Sequence, residues 1–192
     1  MKKLCLALVT CATLGMNFNA LADNNHTVSL GYAQSKIKDG PNLKGVNAKY
    51  RFEWDSSISF ISSLTYMGKD QEWSYPGALT TNKIKQELSY WSLSAGPAYR
   101  FNEFVSLYGL AGINFSKMRN TVTERLGVGG WERSDSESHK SKAFMYGAGV
   151  IINPMQNLSL ELGYEASSAK FKDSDNKRYS INGFNAGVGY RF

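Results

Sequence analysis

The chain has 192 residues, a net charge of +6 and a mean hydropathy of −0.35, which is one domain's worth of basic, moderately polar sequence. Its only cysteines, Cys5 and Cys11, stand in the first dozen residues, so disulfides, thiol chemistry and thiolate metal sites are excluded from the rest. No segment supplies the ~20 apolar residues of a membrane-spanning helix, so any span must be built from strands.

In chain order, the first element reads as an export signal: Met1-Lys2-Lys3 is a basic start, Leu4 to Met16 is mostly apolar, and Ala20-Leu21-Ala22 is a small-x-small cleavage site. Residues 1–22 are therefore expected to be removed, leaving 23–192. Leu8-Val9-Thr10-Cys11 offers a rival lipoprotein reading, against which stand the poor fit of Thr10 and the short apolar core that cutting there would leave.

From there alternation with period two dominates. Val28, Leu30 and Tyr32 alternate with Ser29, Gly31 and Ala33, and Val46, Ala48, Tyr50 and Phe52 with Asn47, Lys49 and Arg51. Ile58, Phe60, Leu64 and Tyr66 oppose Ser59, Ser63 and Thr65, with Ile61 and Ser62 breaking the pattern. Trp91, Leu93, Ala95, Tyr99 and Phe101 oppose Ser92, Ser94, Gly96, Ala98 and Arg100 across a run holding Pro97, which in a sheet marks an edge or a bulge. The remaining runs place Val105, Leu107, Ala111, Ile113 and Phe115; Phe144, Tyr146, Ala148, Val150 and Ile152; Leu158, Leu160, Leu162 and Tyr164; and Phe184, Ala186, Val188, Tyr190 and Phe192 on one face. That makes eight strands.

The links alternate in length. Turn-sized Glu53-Trp54-Asp55-Ser56, Asn102-Glu103 and Pro154-Met155-Gln156 interleave with longer links at about 38–43, 68–86, 117–142 and 171–178. Short turns at one end and long loops at the other predict an all-β, eight-stranded antiparallel up-and-down transmembrane barrel with periplasmic turns and four surface loops. A soluble lipocalin-like barrel or sandwich shares the alternation. Strands of about ten residues, aromatics near strand ends (Tyr32, Phe52, Tyr66, Tyr99, Phe101, Tyr190) and an even strand count favour the membrane.

The opposite face is small and polar, with charges at Lys49, Arg51, Arg100, Glu161, Glu165 and Arg191. Eight strands leave an interior that side chains fill, so these charges are expected to pair in a packed polar core without an open channel.

Several stretches resemble the Ail/PagC/OmpX (Ail/Lom) family of outer-membrane proteins: GYAQSK (Gly31 to Lys36), KGVNAKYRFE (Lys44 to Glu53), ISFISSLTY (Ile58 to Tyr66), SAGPAYR (Ser94 to Arg100), SLYGLAG (Ser106 to Gly112), YGAGVIINPM (Tyr146 to Met155) and INGFNAGVGYRF (Ile181 to Phe192). They cover the strands and short turns, and INGFN and SFISSL look closest to the PagC-like branch. The resemblance implies an eight-stranded barrel whose longer strands protrude past the outer membrane, and a role in adhesion to or invasion of host cells and in complement resistance. It also eases the Pro97 reservation, since AGPAYR resembles the family's fourth strand. Family members differ in activity, so fold transfers further than function.

Three groups of candidate residues follow. Val188, Tyr190 and Phe192 resemble the C-terminal signal read by the barrel assembly machinery; an ordinary last strand with lipid-facing aromatics has the same pattern. The four longer links carry a net positive charge and the rest of the exported chain a net negative one. In an exported protein such charge meets lipopolysaccharide phosphates, heparan-type glycans, or acidic patches on host matrix or complement-regulatory proteins, and not nucleic acid. Trp73, Tyr75 and Trp131 stand among those charges, with Lys83, Lys85, Arg125 and Arg133, as candidate binding residues; a solvated loop surface or headgroup contacts are the alternative. No cofactor or metal motif is present. Asp135, Ser136, Ser138 and His139 suggest a triad, but consecutive residues of a polar loop lack the rigid, distant framework of one, so an enzyme is not expected.

Overall fold

The computed structural model describes residues 25–38, 40–54, 56–76, 80–126, 132–170 and 178–192. Eight antiparallel strands occupy nearly all of them: β1 (His26–Ile37), β2 (Asn42–Glu53), β3 (Ile58–Pro76), β4 (Thr80–Arg100), β5 (Val105–Leu126), β6 (Glu132–Met155), β7 (Leu158–Lys170) and β8 (Arg178–Arg191). Each pairs with its neighbour in sequence, and β8 closes on β1 to complete a barrel. The closing seam ends in a reciprocal backbone pair: the His26 N–H donates to the Phe192 carbonyl at 3.0 Å and the Phe192 N–H to the His26 carbonyl at 2.8 Å.

Strand parity decides which side chains face out. Leu30, Val46, Leu64, Leu93, Ile113, Phe144, Leu162 and Val188 stand exposed on the outer wall, while Ser29, Asn47, Ser63, Ser94, Asn114 and Asn185 are buried inside. An apolar belt around a closed barrel far exceeds what a soluble monomer exposes, so it requires hydrocarbon around it. Tyr66 against Trp91 (ring centroids 4.5 Å apart) marks one end of the belt, and Tyr99 against Phe101 (5.1 Å) the other.

At the short-turn end, the Asn102 side-chain oxygen accepts the backbone N–H groups of Phe104 (2.9 Å) and Val105 (2.8 Å), an Asx turn that reverses β4 into β5 in four residues. The β6–β7 register shifts between Ile152 and Met155, and β6 runs on through Pro154, so the reversal falls after Met155 and not at Pro154-Met155-Gln156. Pro97 makes no bulge: it pairs with Phe60, and β4 holds one register with β5 from Ala95↔Ala111 to Ala98↔Tyr108.

The main departure from the sequence reading concerns the second and third long links. Most of 68–86 and 117–142 is strand, paired without a break from Gly68↔Ser89 to Pro76↔Thr81 and from Lys117↔Lys140 to Arg125↔Glu132. Water wets both faces of these extensions, so their residues carry no apolar alternation and read as loop. Because β2 pairs with β3 only as far as Gly68 and β7 with β6 only as far as Met145, strands β3 to β6 rise above the barrel as a four-stranded sheet. The proposed signal at 1–22, the tip of the third link including Trp131, and nearly all of 171–178 lie outside the described residues.

Candidate functional site

Three regions hold the chemistry: a polar lumen, an apolar plug above it, and the two faces of the protruding sheet. In the lumen Glu53 is fully buried at the end of β2 and faces three guanidiniums: its Oε2 accepts from Arg191 at 2.7 Å and from Arg100, and its Oε1 forms an ion pair with Arg51 at 2.8 Å. Arg51 also donates to Ser59 (2.9 Å) and Ser106 (3.1 Å). Higher up, Lys49 pairs with Glu161 at 3.1 Å, donates to Asn185 at 2.7 Å, and stands 5.5 Å over the Tyr108 ring. Glu165 accepts from Thr65 (3.0 Å), Asn185 (3.2 Å) and Ser92 (3.4 Å). Lys49, Arg51, Arg100, Glu161, Glu165 and Arg191 thus all face the lumen.

Glu53 is the member that sequence reasoning missed, because it was assigned to a turn. Its parity with Asn47, Lys49 and Arg51 was the available signal. The lumen also holds apolar residues that the polar-core expectation omitted: Ile61, Leu110 and Ile151 around Tyr108, and Met145. Above the charges, Ala33, Ile37, Leu43, Met67, Leu88, Tyr90, Ala169 and Ile181 pack into a plug, with Met118 and Tyr179 against it.

The protruding sheet continues the parity of the barrel. Met67, Leu88 and Met118 face the plug, so Gln71, Trp73 and Tyr75 on β3, Gln86 and Ile84 on β4, and Asn120 and Val122 on β5 lie on the same, concave side. Tyr66, Trp91 and Phe115 face outward, and so do the positions in step with them: Lys83, Lys85 and Glu87 on β4, and Lys117 and Arg119 on β5, with Lys140 and Lys142 on β6 opposite them. The candidate binding residues therefore divide. Trp73, Tyr75 and Arg133 occupy the concave face, Lys83 and Lys85 the convex one, and Arg125 lies at the end of β5.

On the convex face Lys85 donates to Glu87 at 2.6 Å, and Arg119 stands 3.8 Å from the same carboxylate. The hydrogen bond and charge of Glu87 raise the Lys85 ammonium above the usual lysine value; the hydrogen bond from Lys85 is the main reason the Glu87 carboxyl lies below its usual value. Lys142 stands 5.4 Å over the Phe115 ring, in the row Tyr66↔Trp91↔Phe115↔Lys142 that forms the upper edge of the belt. The next row up pairs Lys117 with Lys140. Lys83, Lys85, Lys117, Arg119, Lys140 and Lys142 outnumber the outward carboxylates Asp70, Glu72 and Glu87, so the convex face is net positive among the described residues.

The triad-like run separates by the same rule. His139 stands 3.9 Å from Glu137 on the concave side with Asp135, whereas Ser136 and Ser138 take the alternate, convex positions. Among the described residues no three His, Cys, Asp or Glu side chains are placed to hold a metal ion. The last strand sets Val188 and Tyr190 on the outer wall, and the Phe192 ring stacks 5.8 Å from His26 and 6.2 Å from Tyr190.

Comparison with known proteins yields consistent matches. The family model of the enterobacterial Ail/Lom proteins matches residues 1–192. The virulence membrane protein PagC of Salmonella typhimurium is 41% identical, and the attachment invasion locus protein of Yersinia enterocolitica 36%, both with 100% of each chain covered. The crystal structure of Ail from Yersinia pestis in complex with the heparin analogue sucrose octasulfate superposes with a TM-score of 0.65 at 33% identity, covering 87% of this chain and 97% of that one.

Proposed function

This chain belongs to the enterobacterial Ail/Lom family of outer-membrane β-barrel proteins, whose relatives are virulence-associated, and from that premise we propose that it attaches the bacterium to polyanionic host ligands through the convex face of the β3–β6 sheet. Attachment of this kind would serve adhesion, invasion and serum resistance by recruiting matrix or complement-regulatory proteins that carry acidic patches or sulfated glycans.

The observation that carries the reading is the surplus of Lys83, Lys85, Lys117, Arg119, Lys140 and Lys142 over Asp70, Glu72 and Glu87 on a rigid sheet raised above the membrane. Lys117 and Lys140 stand directly opposite each other on β5 and β6, and Lys83, Lys85, Arg119 and Lys142 occupy outward positions on the same sheet, so the cations form an array along which a sulfated chain can lie. The complex of Yersinia pestis Ail with a heparin analogue supports the same ligand class here. Nothing in this reading asks for a catalytic step, and a binding protein remains the proposal in place of an enzyme.

Lys142 at the upper edge of the belt, with Lys117 and Lys140 in the next row up, favours a second, concurrent ligand. Lysines at that height lie level with the outer-leaflet headgroups, where lipopolysaccharide phosphates are the available anions. The structural alternative, a barrel whose cations serve only that lipid, makes a different prediction for cells.

The test is adherence of bacteria displaying the protein to host cells with and without heparan sulfate, at matched surface levels. Lys83→Gln with Lys85→Gln is expected to lower adherence to the first cells only, and most at low ionic strength. Unchanged adherence of both, with loss of lipopolysaccharide binding on Lys117→Gln and Lys140→Gln, favours the structural alternative.

A further inference from the structure

The concave face has the chemistry of a different ligand. Its upper row runs Trp73↔Ile84↔Val122 across β3, β4 and β5, and the row below it Gln71↔Gln86↔Asn120. Trp73 is 41% exposed although it sits on the inner face, so its ring is open to the groove. An apolar row thus lies one pleat, about 7 Å, above a row of three side-chain amides. The Asn120 amide oxygen is buried without a hydrogen-bond partner, and Glu137, opposite Asn120 on β6, extends the polar row by a carboxylate.

We propose that this groove binds an uncharged glycan, with one sugar ring stacked on Trp73 and its hydroxyls taken by the Gln71, Gln86 and Asn120 amides. A pyranose has an apolar face of C–H groups that packs on an aromatic ring and a rim of hydroxyls that each donate and accept. Carboxamides answer such a rim because each offers both a donor and an acceptor, and the site needs only a few polar groups beside an apolar floor.

Charge separates this ligand from that of the convex face. The described ionisable groups on the concave side are Lys69 and Arg133 against Glu124, Asp135 and Glu137, with His139 beside Glu137, so a sulfated chain finds no positive surplus there. Width separates it from a folded protein. Four strands span about 14 Å, one glycan chain across, where a stable protein interface needs about 800 Å² from each partner. A cleft of about 250 Å³ lined by Val122, Glu124, Arg133 and Asp135 lies directly beside the apolar row.

The test uses the full-length barrel in phospholipid nanodiscs, titrated calorimetrically with three neutral tetrasaccharides (chitotetraose, maltotetraose and lacto-N-tetraose) and, in parallel, with a heparin octasaccharide. At least one neutral probe is expected to bind with an affinity that does not change between low and high salt. Trp73→Ala is expected to weaken it about tenfold or more and Gln86→Ala several-fold, with Trp73→Phe restoring most of the loss and Lys83→Gln having no effect. Heparin is expected to show the reverse, with salt and Lys83→Gln effects and indifference to Trp73. Absence of binding by all three neutral probes, neutral binding that survives Trp73→Ala, or a loss of heparin alone on Trp73→Ala would overturn the proposal. The heparin arm reports separately on the convex face.

Discussion

The hydroxyl of Tyr108 on β5 lies where a Cβ of Gly163 on β7 would have to sit, across the lumen of the barrel. That hydroxyl is buried with no hydrogen-bond partner, so it contributes packing and no bond. Gly163→Ala is therefore expected to destabilise the barrel by about 1–3 kcal/mol through overpacking. Tyr108→Phe alone should be close to neutral, since it removes only an unsatisfied polar atom, and in the double variant should recover part of the loss. Urea unfolding in detergent micelles, followed by tryptophan fluorescence, measures all three.

Glu53 gives a second prediction, because one carboxylate with no exposed surface pairs with Arg51, Arg100 and Arg191 together. Glu53→Gln keeps the shape but leaves buried guanidinium charge, above all that of Arg51, without its counter-ion. The expected cost is about 3–5 kcal/mol, that of breaking a buried pair from one side. A loss no larger than that of an exposed substitution in the same unfolding assay would mean that the arginines find other partners.

Neighbours on one strand test which wall meets lipid. Leu160 stands on the outer wall and Ser159 inside, fully buried with its hydroxyl unpaired. Leu160→Arg is expected to cost about 2–4 kcal/mol, the value for a charge on the lipid face, and Ser159→Ala much less. Refolding yield into liposomes reads the ranking directly, and its reversal would mean that the faces are exchanged.

Legibility followed the solvent on each face. Where lipid covers one side and packed polar groups the other, as at Leu160 and Ser159, period-two alternation marks the strands despite interruptions such as Ile61 and Ser62, and all eight strands could be read from it. Above the membrane both faces meet water, so Lys69–Pro76 and Glu132–Ser141 show no alternation, and paired strand read as loop. The same gap hid the division between Trp73 and Lys85, which is a matter of parity along strands that were not recognised. Glu53 was hidden differently: a charged residue before Trp54 and Asp55 looks like the start of a turn, and only its step from Arg51 carries the lumen face one position further. The inward apolar residues Ile61, Met145 and Ile151 depend on how side chains from facing walls fill the lumen, which no single strand records.

The end of β8 gives a fourth prediction. Phe192 contributes its backbone to the closing seam with His26 and its ring to the stack on His26 and Tyr190. Phe192→Ala keeps the backbone pair and removes the ring. If the ring belongs to a signal read during assembly, the variant should accumulate slowly in the outer membrane of cells yet fold into detergent micelles nearly as well as the parent. Equal impairment in both settings would assign the ring to packing alone.

If the convex face binds polyanions as proposed, the pair Lys85–Glu87 sets how that binding depends on pH. The Lys85 hydrogen bond holds Glu87 below its usual value, so it protonates at lower pH than an unpaired glutamate, and the Glu87 hydrogen bond and charge hold Lys85 above its usual value, so it loses its proton at higher pH than an unpaired lysine. Between those limits the pair is intact, and Glu87 cancels one cation of the basic face while standing 3.8 Å from Arg119. Both side chains are largely solvated, so the pair matters for the field at the surface far more than for folding. Glu87→Gln is therefore expected to tighten heparin binding a few-fold at neutral pH and low salt, with the gain fading as salt rises. In the parent, the contribution of this carboxylate should appear as a rise in heparin affinity on acidification, at lower pH than an unpaired glutamate would give, and Glu87→Gln should abolish that step. Titration of nanodisc-embedded barrel with a heparin octasaccharide across pH and ionic strength separates the two. Identical pH profiles for parent and variant would mean that the sulfated chain does not pass over Glu87, and would move the polyanion track to the membrane-proximal lysines Lys117, Lys140 and Lys142.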